Sequence, residues 1–341
     1  MTRRERVARV IAHQEADRVP WHIGLTIPTA QRVAATVGLP VEELDEWMQN
    51  HLYYVEPEAD NAWTEVRPGY WRDEYGVVWN RTVDPDIGVI EHYQLQDRDL
   101  SGYRFPDPAD PRRWEDFERR LEGRQDRYAV GAIGFSLFER AWTLRGMVNL
   151  LMDMVEAPEF VDALLDAITE HNLALVERAV RYDIDGVYFG DDWGQQRGLL
   201  MGPVFWRRFI KPRITRMYGA VKAAGKRVFI HSCGDVEEVF PDLIEAGLDV
   251  FNPFQPEVMD IYQVKERFGD RLSFLGGMSI QRVMPFSTAE EVRAEAHRLM
   301  DRIGAGGGYI LAPSHAIPRD VPVENVIALV EAARDEQNHT G

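Results

Sequence analysis

A single cysteine in 341 residues leaves no partner for an intramolecular disulfide, so nothing in the chain points to an oxidising compartment. Long apolar runs are also missing. None approaches the roughly 20 residues that a membrane helix needs. Positive charge is the third shortage, since 39 Lys and Arg stand against 56 Asp and Glu and the formal net charge is −17. Such a surface argues against nucleic acid and against an anionic membrane face, while leaving room for a local basic pocket. The opening Met-Thr-Arg-Arg-Glu-Arg leads into an amphipathic segment and not into a signal peptide, so a cytoplasmic location is expected. The length suffices for a sizeable core.

What is present is a rhythm. Eight short β-branched or apolar runs recur at 19–25, 52–56, 128–133, 186–190, 228–231, 250–253, 272–275 and 309–312. Helical patterns lie between them, over 144–155, 158–182, 203–224, 236–246, 260–268, 289–303 and 323–334. Start signals support several: Pro158, Pro203 and Pro241 sit in first turns, and Ser287-Thr288-Ala-Glu290-Glu291 has the form of a capping box. Eight strands alternating with helices predict an α/β fold, a closed (β/α)8 TIM barrel in one domain over 1–341. The rhythm breaks at about 63–111, where Trp71 to Trp79 alternates around Gly76. This predicts a hairpin-containing insertion after the second strand.

In such barrels the working groups sit at the C-terminal ends of the strands. The fifth run, Val228-Phe-Ile-His231-Ser-Cys233-Gly-Asp235, ends by delivering the only cysteine two residues after a histidine. If Phe229 and Ile230 close a buried strand, His231 and Cys233 project to the same side and can grip one ion. Zinc is the natural candidate, because it accepts imidazole and thiolate and takes three or four ligands. The bland alternative is a small buried thiol beside a hydrogen-bonded histidine. His315 follows the last strand and looks across the same mouth. It completes a His/Cys/His set, or else serves as a rim histidine that binds substrate without a metal.

Other strand ends carry polar and aromatic groups: His22, Glu139, Asp191, Asp192, Trp193 and Gln255. Asp191 and Asp192 could share a proton or hold a polar substrate, or one of them could cap the next segment. Helical spacing leaves Phe138 and Trp142 open as either pocket or core residues. The amide of Gln255 is suited to orienting a neutral polar group.

The opening Arg3-Arg-Glu-Arg-Val-Ala-Arg-Val-Ile-Ala-His13-Gln-Glu-Ala-Asp17-Arg-Val-Pro20 and the closing 272–326 resemble the uroporphyrinogen decarboxylase superfamily, including its corrinoid-linked methyltransferases. The resemblance implies a barrel with a deep cleft at its C-terminal face. Its metal-free decarboxylases use an N-terminal Arg-Gln-Ala-Gly-Arg segment and a Ser-Asp-Ile turn, where this chain reads Trp21-His22-Ile23-Gly24 and Val55-Glu56-Pro57-Glu58. The metal-dependent methyltransferases carry His-x-Cys-Gly at the fifth strand, as His231-Ser-Cys233-Gly234 does, and a cysteine where His315 stands. The resemblance therefore implies a zinc-dependent methyltransferase or demethylase acting on a small methylated substrate. Its methyl donor or acceptor would be cobalamin on a separate corrinoid protein, since the chain has no recognisable corrinoid module. The aromatic mouth hints at an aromatic methyl ether. The alternatives are a metal-free carboxy-lyase like uroporphyrinogen decarboxylase, or a binding protein that kept the barrel and lost the chemistry.

Overall fold

The computed structural model describes residues 1–335. Seven parallel strands form one curled sheet in sequence order: β1 (Leu52–Val55), β2 (Tyr128–Ile133), β3 (Gly186–Gly190), β4 (Arg227–His231), β5 (Val250–Phe254), β6 (Ser273–Met278) and β7 (Tyr309–Pro313). Their positions match seven of the eight expected runs to within three residues. Consecutive parallel neighbours need helical crossovers, and the helices between them supply these. The helices at Ala289–Ile303 and Val323–Arg334 have the predicted bounds, and the first starts with a Thr288–Glu291 capping box. No helix among the described residues is long and apolar enough to cross a membrane.

The eighth expected strand, 19–25, is not a regular strand, and here the sequence reading needs correction. The segment makes two isolated parallel bridges, Trp21 with Leu311 and Leu25 with Ile317. On its other side the amide of His51 donates to the carbonyl of Trp21 at 3.0 Å, so it still spans the gap between β7 and β1. Pro20 has no amide proton to give a ladder. At Ile23 the side chain of Asn50 takes the neighbour's place: its Oδ1 accepts from the Ile23 amide at 2.7 Å and its Nδ2 donates to the Ile23 carbonyl at 3.1 Å.

Alternation along the strands sorts two cores. One lies between sheet and helices. The other fills the lumen with Leu52, Tyr128, Val130, Phe229, Val250, Leu275, Ile310 and Ala312. Helix Arg3–Ile11 closes the bottom of the lumen with Val7, Val10 and Ile11, all buried. Two residues further along the same inward rows stand Tyr54, Tyr188, His231 and Asn252. These form the floor of a cleft that opens at the C-terminal face.

The insertion is larger than the expected hairpin. Its four antiparallel strands, Thr64–Arg67, Tyr70–Arg72, Val78–Asn80 and Val89–His92, form a meander, and the expected hairpin lies at its centre, with Trp71 paired to Trp79. Buried Asp73 fastens it to the barrel. Its carboxylate accepts from the Val77 amide at 2.9 Å and the Trp79 indole at 3.0 Å, and it faces the guanidinium of buried Arg140 at 3.4 Å. Removing Asp73 leaves Arg140 buried without its counter-charge. Asp73→Ala is therefore expected to destabilise the protein by about 3–5 kcal/mol, read as a lower urea midpoint. A midpoint within error of wild type would show that the insertion is held by its apolar contacts alone.

Candidate metal and substrate site

The site is built where β3, β4 and β5 end side by side, with Gly190, His231 and Asn252 as register partners. Inward projection brings His231 into the cleft. Its Nδ1 lies 2.6 Å from Asn252 Oδ1, while Asn252 Nδ2 donates to the carbonyl of Leu275 at 3.0 Å. The amide is thus oriented with its oxygen toward the ring. Nδ1 then carries the proton, and the lone pair of Nε2 faces the Cys233 thiol.

Cys233 follows β4, and its amide donates to Asp192 Oδ1 at 2.8 Å. Its Sγ lies 3.3 Å from His231 Nε2. His315, just beyond β7, brings its ring centroid to 5.5 Å from that of His231. One ligand atom from each of His231, Cys233 and His315 falls within 4.8 Å of the other two. The three predicted metal ligands converge.

Two glycines permit this. Gly234 has φ +85°, and a Cβ on it would sit 2.3 Å from the carbonyl carbon of Gly194. Across the contact the Gly194 amide donates to the Cys233 carbonyl at 3.1 Å, and the Asp235 amide donates to the Gln195 carbonyl at 2.8 Å. Gln255 braces the same turn, its Oε1 accepting from the Gly234 amide at 3.2 Å. Gln255 thus supports the Cys233 loop from outside the cleft.

The acidic groups divide by environment. Asp191 is fully buried and accepts from the amides of Leu137 and Glu139, at 3.3 and 2.8 Å, and from the Trp193 indole. Burial raises its carboxyl to about 7 against the pull of those donors. It anchors the start of helix Phe138–Arg145, an earlier element and not the following segment that the capping alternative named. Asp192 and Glu139 lie beside the thiol. Burial, then the charges of Asp192 and Asp191, push the Glu139 carboxyl well up. Burial also pushes the Cys233 thiol up, with Asp192 and Glu139 adding to it. Trp193 is buried against Trp206, with ring centroids 5.4 Å apart, and Phe138 is core. Trp142 is partly buried and packs its ring against Phe135.

The cleft beside these donors has a volume of about 610 Å³ and is lined by His22, Tyr54, Glu56, Tyr188, His231, Asn252 and His315 among aliphatic residues. His22 Nδ1 is buried without a hydrogen-bond partner, and burial lowers the ring to about 4, so it is neutral near pH 7. Tyr54 and Tyr188 were not singled out from the sequence. The signal was available, because both lie on inward rows, two residues after Leu52 and Gly186.

The family model for uroporphyrinogen decarboxylase (URO-D) matches residues 125–336, more than half of the sequence. The chain belongs to this family. Curated relatives include members with two activities. The methylcobamide:CoM methyltransferase MtaA of Methanosarcina barkeri is 26% identical over 203 residues, 57% of each chain. The uroporphyrinogen decarboxylase of Magnetococcus marinus is 25% identical over 190 residues, 54% of this chain and 50% of that one. The chain thus spans little more than half the length of these curated relatives. Among solved structures, a methyltransferase from Methanosarcina mazei superimposes with a TM-score of 0.74 over 98% of both chains at 18% identity. That likeness shows a shared fold.

The Gly194–Gly234 contact yields a direct test on a URO-D family member whose single cysteine reports on its own site. Gly234→Ala is expected to lose more than about 1 kcal/mol of stability, because alanine resists positive φ. The displaced loop would also change the rate at which Cys233 reacts with a thiol reagent. Unchanged rate and stability would show that the two loops tolerate a side chain.

Proposed function

We propose that this protein is a zinc-dependent methyltransferase that moves a methyl group between a small substrate and a corrinoid carried by a partner protein. The observation that carries the reading is the convergence of His231 Nε2, Cys233 Sγ and His315 at the cleft, within 4.8 Å of one another. Family membership and the methyltransferase named among its relatives support it.

The residues fit the ion. Two imidazoles and one thiolate form a familiar zinc donor set with a position left for substrate, and Asn252 presets the ring of His231. Asp192 and Glu139 place two carboxyl groups beside the thiol, a setting that suits a cation there. When bound, zinc would supply Lewis acidity that lowers the pKa of a substrate oxygen or sulfur.

The chain's own groups do the rest. Glu139, whose carboxyl is held well above the usual range, takes the proton that a thiol or hydroxyl loses when it is methylated, and in the reverse sense returns one to the oxygen or sulfur that demethylation frees. Leu25, Ala132, Leu275 and Pro313 line the cleft with hydrocarbon and exclude water from the methyl group. The metal-free decarboxylase reading is disfavoured by the lining, which includes no lysine or arginine to pair with the carboxylates of a porphyrinogen.

Two tests follow. Purified protein should hold about one zinc per chain by elemental analysis. Cys233→Ser should lose it while keeping a cooperative unfolding transition, and Asn252→Ala should weaken it by about 10–100-fold in chelator competition. Wild-type protein that stays empty after incubation with zinc would sink the reading.

In the second test, reduced corrinoid is incubated with the protein and candidate methyl ethers and methyl thiols, and the corrinoid absorbance is followed. Zinc-dependent conversion to the methylated form is expected with at least one class, aromatic methyl ethers among them. Steady conversion of uroporphyrinogen to coproporphyrinogen would replace this reading with the carboxy-lyase.

A further inference from the structure

The lining of the cleft bears on which substrate it takes. Glu56 is the one carboxylate lining it, and no lysine or arginine does. The guanidinium that faces Glu56, Arg120, is directed elsewhere: it donates to the carbonyls of Glu56 and Glu58, at 3.0 and 2.8 Å, and to Asp60 Oδ1 at 2.6 Å. The Glu56 carboxylate has no hydrogen-bond or ion-pair partner among the described residues and stays open to the cleft.

Beside it stand three aromatic rings set nearly at right angles. Tyr54 meets His22 at a centroid distance of 5.1 Å and an angle of 74°, and meets Tyr188 at 5.3 Å and 71°. Rings that cross Tyr54 at these angles form a corner of π faces and edges, and π faces attract cations. An anionic group entering here would meet the carboxyl of Glu56, and no lysine or arginine lines the cleft to pair with it.

We propose that the substrate of this cleft carries a positively charged nitrogen, an ammonium or methylated ammonium, and that Glu56 and the Tyr54–Tyr188 corner select it over neutral and anionic analogues. The inference rests on the preceding reading only in taking this cleft as the substrate site. It assigns to Glu56 the role of a specificity residue, separate from the metal donors and from the proton-accepting Glu139.

The test is a calorimetric binding comparison on the purified full-length protein, using two probe sets that vary charge at nearly constant shape. Choline and 3,3-dimethylbutan-1-ol lack a thiol and do not rely on a metal. Cysteamine, 2-mercaptoethanol and 2-mercaptoethanesulfonate offer a thiol with a positive, neutral or negative far end. Choline is expected to bind about tenfold or more tightly than its neutral isostere, and cysteamine more tightly than the other two thiols. Glu56→Gln should remove most of both preferences with little change in melting temperature, because its side chain is open to solvent. Cys233→Ser should keep the choline preference, which separates failure of the metal reading from failure of this one. Equal binding of choline and its isostere, or tighter binding of the sulfonate than of cysteamine, overturns the proposal. Preferences that survive in Glu56→Gln overturn the assignment to that residue.

Discussion

Everything at the mouth depends on one row of backbone pairing. Gly190, His231 and Asn252 are held in register at the ends of three adjacent parallel strands, so the inward direction of each is fixed by the sheet and not by a loop. The amide of Asp191 donates to the His231 carbonyl at 2.9 Å and that of Ser232 to the Asn252 carbonyl at 2.7 Å, which carries the pairing one residue past the strands. From that row follow the tautomer of His231, the placing of Cys233 two residues on, and the turning of Asp191 away from the cleft. A slip by one residue would reverse every inward side chain.

Negative charge at this mouth has two faces. Carboxyl groups around a half-buried thiol hinder its ionisation, and under the proposed reading the same field would favour a divalent cation, whose charge would stabilise the thiolate. Asp191 and Asp192 are adjacent in sequence, yet one is buried under helix amides and the other holds the amide of Cys233. Environment, more than residue type, decides which of them is architecture and which belongs to the site.

Much of this was legible in the sequence, because period-2 alternation and a His-x-Cys spacing are local signals. Seven strands, the insertion and the convergence of His231, Cys233 and His315 follow from them. The irregularity of 19–25 was not legible, since it arises when the side chain of Asn50, 27 residues away, takes over the hydrogen bonds of a missing strand neighbour. Nor was the contact between Gly194 and Gly234, which exists only once two loops meet. Gln255 was singled out as an amide near the mouth. That it supports the Cys233 turn is visible only in the folded chain.

The helix Arg3–Ile11 seals the lumen beneath the cleft with Val7, Val10 and Ile11. A pocket with a stoppered bottom fills and empties through its mouth, and under the proposed reaction that mouth must also receive a bulky corrinoid. Traffic then acquires an order: the small molecule has to be seated before its large partner covers the entrance, and the small product leaves after the partner departs. The N-terminal helix, far from any reacting atom, would thereby impose a compulsory sequence of binding.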